Sequence, residues 1–179
     1  MFRRNQFLGT AVVLILALSA CSRSGTANKD ASAGPPGSPA FAPISSLNFV
    51  KASASEAQIS AGGSGEATVR VIVQSGYHVN ANPPTYPYLK ATELAVETGD
   101  GLSVAFITYP TALTKKFPFA QKPLAVYEGE VPIKVMLKAA ASATKTSHPL
   151  AARLNVQACD DQVCYPPATL DMSIPVTVK

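Results

Sequence analysis

Two cysteines near the end of the sequence have the residue type and spacing to do chemistry. Cys159 and Cys164 lie in the segment VQACDDQVCYPP, residues 156–167, which ends in a double proline. A thiol pair of this kind can form one disulfide and exchange it with the thiols of another protein. The same pair could instead be a local staple, or supply two of the four ligands of a metal site.

The spacing of the two cysteines restricts the backbone between them. Residues five positions apart in a straight strand are separated by about 16–17 Å, whereas a disulfide needs Cα atoms within about 7 Å. A bonded pair therefore requires the chain to double back through DDQV, residues 160–163, where adjacent aspartates favour a turn. We expect an accessible bend between two strands, in which the acids either serve the turn or disfavour a nearby thiolate.

Loop length argues against a purely stabilising role for this disulfide. In the chain-entropy model, closing so short a loop contributes about 2 kcal/mol, whereas a bridge across 100 residues contributes about 5 kcal/mol. A surface disulfide held at a bend is also more easily reduced than a bridge between sheets. These considerations favour redox activity, and the local staple remains the alternative.

A metal site is the weakest interpretation of the cysteine pair. His78 and His148 are the only histidines in the sequence, and neither has ligand spacing relative to the cysteines. His78 lies in a strand-like run, where we expect its ring to have a satisfied hydrogen-bonding role. The sequence thus predicts no metal and no cofactor.

The N-terminus has the pattern of an export signal. Arg3 and Arg4 precede the apolar run FLGTAVVLILALSA, which at fourteen residues is too short to span a bilayer as a helix. Residues 18–21, LSAC, resemble the lipobox of bacterial lipoproteins, in which the cysteine becomes the acylated new N-terminus. We expect a signal peptide over residues 1–20 and membrane attachment through lipidated Cys21; an ordinary secretory signal is the alternative.

Lipidation of Cys21 would also bear on location and on the remaining cysteines. It places the domain in the cell envelope, facing the periplasm, where thiols can be oxidised, and leaves Cys159 and Cys164 as an even pair. Ser22 follows the lipobox, which by resemblance to enterobacterial sorting favours the outer membrane over the inner. The net charge is +4 and the sequence has no run dense in Lys and Arg, so it gives no indication of nucleic-acid binding.

The rest of the sequence predicts a tether followed by an all-β domain. Residues 21–46 are rich in Ser, Ala, Gly and Pro and lack apolar periodicity, which is typical of a flexible linker. Residues 47–179 contain about eight short, alternating runs separated by turn residues, a pattern that predicts an antiparallel β-sandwich. The predicted strands are NFVKAS, ATVRVIVQ, YHVNA, TELAVE, LSVAFITY, VPIKVMLKAA, LAARLNVQA and TLDMSIPVTVK.

Three segments together resemble a known family. QACDDQVCYPP resembles the active-site segment of the N-terminal periplasmic domain of the DsbD-type thiol:disulfide interchange proteins, and the resemblance covers residues 47–179. GYHVNANPPTYPYLKATELAVE is similar to the early strands of that domain, and YEGEVPIKVML to its central strand. The resemblance implies an immunoglobulin-like sandwich with one redox-active disulfide. It also implies electron flow from a thioredoxin-like or membrane-embedded DsbD-type donor to oxidised exported proteins.

The resemblance further implies roles for individual residues. Cys164 would form mixed disulfides with partners, and Cys159 would resolve them. Tyr165 and Pro166 would shape the surface around the bond.

The family also covers its disulfide with an aromatic cap loop. The corresponding segment here is LTKKFPFAQKPLAVY, which ends at Tyr127 and offers either Phe117 or Phe119 as the cap. A cap aromatic would shield the disulfide from stray thiols until a cognate partner displaces it. Lys115 and Lys116 stand where well-known members carry acids, which changes the local charge that a partner would meet.

Well-known members of the family continue into a transmembrane domain and a thioredoxin domain, whereas this sequence ends at Lys179. We therefore expect the electron donor to be a separate chain. A different class of function remains open as the alternative. The protein would then be a non-catalytic envelope lipoprotein or binding module, in which the Cys159–Cys164 disulfide only shapes a loop.

Overall fold

The structure of the protein is a computed structural model that describes residues 43–179. The predicted signal peptide, Cys21 and most of the predicted tether lie outside the described residues. Within them the chain forms twelve strands and one 3-10 turn, Ser46–Asn48, with no α-helix. No helix in this part of the chain is long and apolar enough to cross a membrane.

The strands form three four-stranded sheets, ordered β1-β3-β9-β6, β2-β12-β10-β5 and β11-β4-β8-β7. Every strand pairing is antiparallel except that of β2 with β12. The immunoglobulin-like all-β sandwich expected from the sequence is thereby confirmed. The strands are β1 Val50–Ala54, β2 Ala57–Ile59, β3 Ser64–Val73, β4 His78–Asn80, β5 Glu93–Val96, β6 Leu102–Thr108, β7 Leu113–Lys115, β8 Leu124–Tyr127, β9 Glu130–Ala139, β10 Ser147–Val156, β11 Ala158–Cys159 and β12 Ala168–Val178.

Alternation of apolar and polar residues decides which face of each long strand is buried. In β3, Val69, Val71 and Val73 lie on one face and are buried, whereas Arg70 and Ile72 between them are exposed. β9 and β10 follow the same period of two, so the first two sheets share one core. Burying each Val or Ile side chain contributes roughly 1.5–3 kcal/mol, so this core supplies most of the stability of the sandwich.

All eight strands predicted from the sequence are present, and four strands were not predicted. The missed strands β2, β7, β8 and β11 have two to four residues each, too few to display a period of two. Three of them belong to the third sheet, in which only β4 was anticipated. Tertiary packing, and not local pattern, therefore forms the sheet that carries Cys159.

The cysteine segment connects β10 to β12, two of the long strands of the sandwich. β10 and β12 pair from Ser147↔Thr177 to Val156↔Ala168, and the residues between them form the connection at one end of the sandwich. Ser46 fastens this connection: its Oγ donates to the carbonyl oxygen of Pro166 at 2.7 Å and accepts from the Ala158 N–H at 2.9 Å. Ser46 is fully buried and lies one residue ahead of the predicted start of the domain.

Replacing Ser46 with alanine is expected to destabilise the fold. The change leaves the buried Ala158 N–H without an acceptor, and an unpaired buried polar group costs about 1–3 kcal/mol. Urea unfolding of Ser46→Ala should show a free energy of unfolding lower by that amount. Ser53→Ala, at an exposed position of β1, should be neutral; equal stability of the two variants would contradict the role of Ser46.

Candidate functional site

Cys159 and Cys164 are joined by a disulfide across the predicted chain reversal. Their Cα atoms are 4.0 Å apart, and the two residues face each other in an isolated antiparallel bridge. The Asp160 N–H donates to the carbonyl oxygen of Val163 at 3.0 Å, which closes the turn. The expected bend through residues 160–163 is confirmed.

The Asp160 carboxylate holds this turn together from inside. Its Oδ1 accepts hydrogen bonds from the backbone N–H groups of Gln162 at 2.7 Å and Val163 at 2.8 Å. Its Oδ2 accepts from the Tyr165 hydroxyl at 2.9 Å. The two backbone hydrogen bonds, followed by the tyrosine, lower the pKa of Asp160 from its ordinary value of 3.8. Of the two roles left open for the acids, Asp160 has the turn-forming one.

The two bonded cysteines differ sharply in exposure. Cys159 is 1% exposed in β11, whereas Cys164 is exposed just beyond the turn. An incoming sulfur can therefore reach Cys164 directly, while Cys159 is covered. The spacing of the cysteines does not predict which of them is buried.

Tyr165 fastens the far side of the turn to the sandwich. Its ring packs at a tilt against Phe49, with centroids 4.6 Å apart, and Phe49 stacks on Tyr77 at 3.9 Å. Hydrogen bonding to Asp160 raises the pKa of the Tyr165 hydroxyl to about 12. The neighbouring Pro166 is exposed and contributes its backbone carbonyl. Phe49 and Tyr77 were not predicted to lie at this site, because they are distant from it in sequence.

The region of the predicted cap loop contains one buried and one exposed phenylalanine. Phe117 is 2% exposed and packs with Leu124 and Val126, whereas Phe119 is 49% exposed. The Phe117 ring stacks on Phe119 at 5.4 Å and on the imidazole of His78 at 4.3 Å. Because His78 pairs with Cys159 across β4 and β11, this places Phe117 next to the cysteine strand.

Tyr127 occupies a different environment from the two phenylalanines. It closes β8 within the main core, is 3% exposed and pairs with Val79. Its hydroxyl accepts the Asn82 N–H at 3.2 Å. Tyr127 is therefore part of the sandwich interior, while the segment that precedes it supplies β7, β8 and the connection between them in the third sheet.

The lysines of the cap-loop region differ in their surroundings. The Lys115 Nζ lies 2.6 Å from Glu128 Oε1, and this hydrogen bond raises the pKa of Lys115. Lys116 is exposed. Lys115, Glu128, His78 and Asp161 line an open cleft of about 490 Å³. The charge that a partner would meet beside the cysteines is therefore mixed, because an acid that was not anticipated from the sequence pairs with Lys115.

His78 is the residue at this site whose surroundings were wrongly predicted. It is 2% exposed, and its Nε2 has no hydrogen-bond partner, so the expected satisfied role is wrong. Burial is the main cause of a lowered pKa for His78, and Lys115 adds to it against the opposite effect of nearby acids. A buried polar atom without a partner costs about 1–3 kcal/mol, so this one requires an explanation.

The described residues contain no group of three or more His, Cys, Asp and Glu side chains that could hold a metal ion. The other histidine, His148, lies in β10, where its Nε2 is 2.8 Å from the carbonyl oxygen of Thr144.

The fold and the site define a class of protein: a β-sandwich domain whose one local disulfide is open to exchange with thiols. The chain belongs to the family described as the N-terminal domain of the thiol:disulfide interchange protein DsbD. The model of that family matches residues 48–174. Family membership and the Cys159–Cys164 bond together support a thiol:disulfide exchange domain that acts on thiol–disulfide partners.

Two solved structures are similar to the chain. The N-terminal periplasmic domain of ScsB from Proteus mirabilis is 16% identical with a TM-score of 0.50, covering 73% of this chain and 47% of that one. The Neisseria meningitidis DsbD N-terminal domain in the reduced form is 20% identical with a TM-score of 0.42, covering 62% and 77%. The similarity to the ScsB domain supports the fold. No curated sequence matches the chain.

The Tyr165 hydroxyl donates one of the three hydrogen bonds that lower the pKa of Asp160. Removing it in Tyr165→Phe should raise that pKa while leaving it below 3.8, since two backbone hydrogen bonds remain. Carbonyl ¹³C NMR titration measures it directly. Because the folded-state pKa is the lower one, Asp160 stabilises the fold above its ordinary pKa, and this contribution is lost as pH falls through the folded value.

The matched control for this titration is Tyr88→Phe, which removes a hydroxyl from the most exposed tyrosine. It should leave the Asp160 pKa unchanged. An unchanged Asp160 pKa in Tyr165→Phe as well would show that the tyrosine does not hold the turn.

Proposed function

We propose that the protein performs thiol:disulfide exchange in the cell envelope, as a thiol:disulfide oxidoreductase of the protein-disulfide reductase type. It relays electrons through Cys159 and Cys164 to oxidised exported proteins or thioredoxin-like partners. The observation that carries the proposal is the asymmetry of the bond, with one cysteine exposed and the other buried. That arrangement suits a nucleophile that meets partners and a second thiol protected from them.

In the reduced protein the Cys164 thiolate attacks one sulfur of the partner's disulfide. A mixed disulfide forms, and the other partner sulfur leaves as a thiolate. The Cys159 thiolate then attacks the Cys164 sulfur, which re-forms the Cys159–Cys164 bond and releases the partner fully reduced. Two electrons pass to the partner in each cycle, and a thioredoxin-like or membrane-embedded DsbD-type donor restores the dithiol.

The surroundings of the bond suit selective exchange. Phe117 is the inner cap residue and Phe119 the outer one, because the first is buried against His78 and the second stacks on it from outside. A partner that moves this pair aside would gain access to the buried Cys159 side of the bond, while Cys164 is already exposed. Tyr165 and Pro166 shape the opposite side, and Tyr127 supports the cap loop from the core.

We further propose that the domain is tethered to a membrane. Residues 1–20 are the signal peptide, Cys21 carries the lipid, and residues 21–46 connect it to the sandwich of residues 47–179. The resemblance of LSAC to a lipobox supports this, and the description of the ScsB domain as periplasmic agrees with an envelope location. Ser22 favours the outer membrane as the anchoring surface.

Trapping of mixed disulfides tests the exchange function. With Cys159→Ser, the exposed Cys164 should accumulate adducts, because no second thiol remains to resolve them. The matched variant Cys164→Ser keeps only the buried cysteine and should trap several-fold less. Non-reducing gels after acid quenching and alkylation of cells measure both, and mass spectrometry identifies the partners. Absence of adducts in both variants would favour the alternative, a binding module whose disulfide only shapes a loop.

The lipid anchor has its own test. Replacing Cys21 with serine removes the acceptor thiol, so metabolic labelling with a fatty acid should be lost and the protein should leave the membrane fraction. Cys159→Ser, which retains Cys21, is the control and should stay labelled and membrane-bound. Labelling that persists in Cys21→Ser would overturn the proposed anchor without affecting the exchange function.

A further inference from the structure

His78 lies directly opposite Cys159 in the antiparallel pair of β4 and β11. Directly opposed residues of such a pair project from the same face of the sheet, with Cβ atoms about 5 Å apart. The imidazole is covered on one side by Phe117, with ring centroids 4.3 Å apart. A buried histidine and a buried cysteine therefore share one small space behind the disulfide.

The Nε2 atom of His78 stands out among the described residues as the one buried side-chain nitrogen or oxygen without a hydrogen-bond partner. In the disulfide form neither cysteine sulfur carries a hydrogen, so the neighbouring Cys159 has nothing to donate. Reduction gives Cys159 an S–H group in a site where the residue is 1% exposed. The missing donor thus arises in the reduced protein, beside an imidazole nitrogen that can accept it.

We propose that His78 is the proton acceptor for Cys159 when the mixed disulfide is resolved. This inference rests on the proposed exchange function and adds a catalytic residue to it. A buried thiol ionises poorly by itself, and only its thiolate attacks a disulfide. A base within reach therefore sets how fast Cys159 can displace a bound partner.

The Cys159 S–H proton moves to Nε2 of His78, and the resulting thiolate attacks the Cys164 sulfur of the mixed disulfide. The Cys159–Cys164 bond forms as the bond between Cys164 and the partner breaks. The departing partner thiolate takes a proton from the imidazolium, which returns His78 to its neutral form.

The charges around His78 suit a neutral imidazole that can accept a proton. Lys115 and Glu128 face it from β7 and the end of β8, and Asp160 and Asp161 face it from the turn. Burial outweighs the acids, so the pKa of His78 lies below its ordinary value of 6.5 and the ring is unprotonated at neutral pH. Resolution that depends on His78 should therefore slow only when the pH falls through that lowered pKa.

Reaction of the reduced full-length protein with one equivalent of 5,5′-dithiobis(2-nitrobenzoate) separates the two steps. Attack by Cys164 releases one coloured thiolate, and resolution by Cys159 releases a second. Stopped-flow absorbance measures the rate of each phase. At pH 7, His78→Phe should change the rate of the first phase by less than about twofold and should lower the rate of the second by at least about tenfold. The difference should shrink at alkaline pH, where hydroxide removes the thiol proton.

Three further variants define the outcomes. His78→Gln keeps a hydrogen-bonding side chain that cannot take up a proton at neutral pH, and it should be as slow in the second phase as His78→Phe. His148→Gln, on the remote histidine, should leave both phases unchanged, and Cys159→Ser should release only one thiolate. Circular dichroism confirms that each variant is folded, and the glutamine variant serves if the phenylalanine variant is not.

A second phase as fast in His78→Gln as in the unaltered protein overturns the proton-acceptor role. So does an equal slowing of both phases, or a deficit that persists at alkaline pH, because either would indicate a structural effect. Failure of the exchange function itself looks different. In that case Cys159→Ser traps no partner adducts in cells, whereas the second phase of this reaction is still present, because any reduced cysteine pair so close together can re-form its disulfide.

Discussion

The antiparallel pairing of the two-residue strand β11 with β4 is the constraint on which the site depends. It draws Cys159 into the interior and places it opposite His78, so one end of the disulfide is buried. The chain must then reverse within four residues to bring Cys164 back, and that reversal leaves Cys164 on the surface. The reactivity expected of the pair follows from this difference in burial, because the two cysteines are otherwise chemically identical.

The remaining contacts keep that short pairing in place. Ser46 ties the start of the described chain to Ala158 and Pro166, on either side of the cysteines. Asp160 satisfies backbone groups inside the turn, and Tyr165 links the turn to an aromatic cluster on the sandwich. The two large sheets supply the hydrophobic stability that a two-residue strand cannot provide. The short β11–β4 pairing at the site is thus stabilised by the hydrophobic core of the two large sheets.

The site also has an internal tension that bears on its function. A buried histidine nitrogen without a partner is unfavourable in the disulfide form and becomes satisfied once Cys159 carries a proton. A buried polar group without a partner calls for an explanation, and a redox or catalytic role is one of those known. The positive charge of Lys115 near His78 is likewise offset by a neighbouring side chain, the carboxylate of Glu128.

The sequence by itself determined the spacing of Cys159 and Cys164, the chain reversal that a bond between them requires, and the eight runs that became strands. These properties are local, since spacing limits how far the backbone must bend and alternation over several residues selects one buried face. Only the tertiary structure decided which cysteine is buried, that His78 lies opposite it without a partner for Nε2, and that Phe117 stacks on the imidazole. Those contacts join residues far apart in the chain through strands too short to show a pattern, so no local signal encodes them.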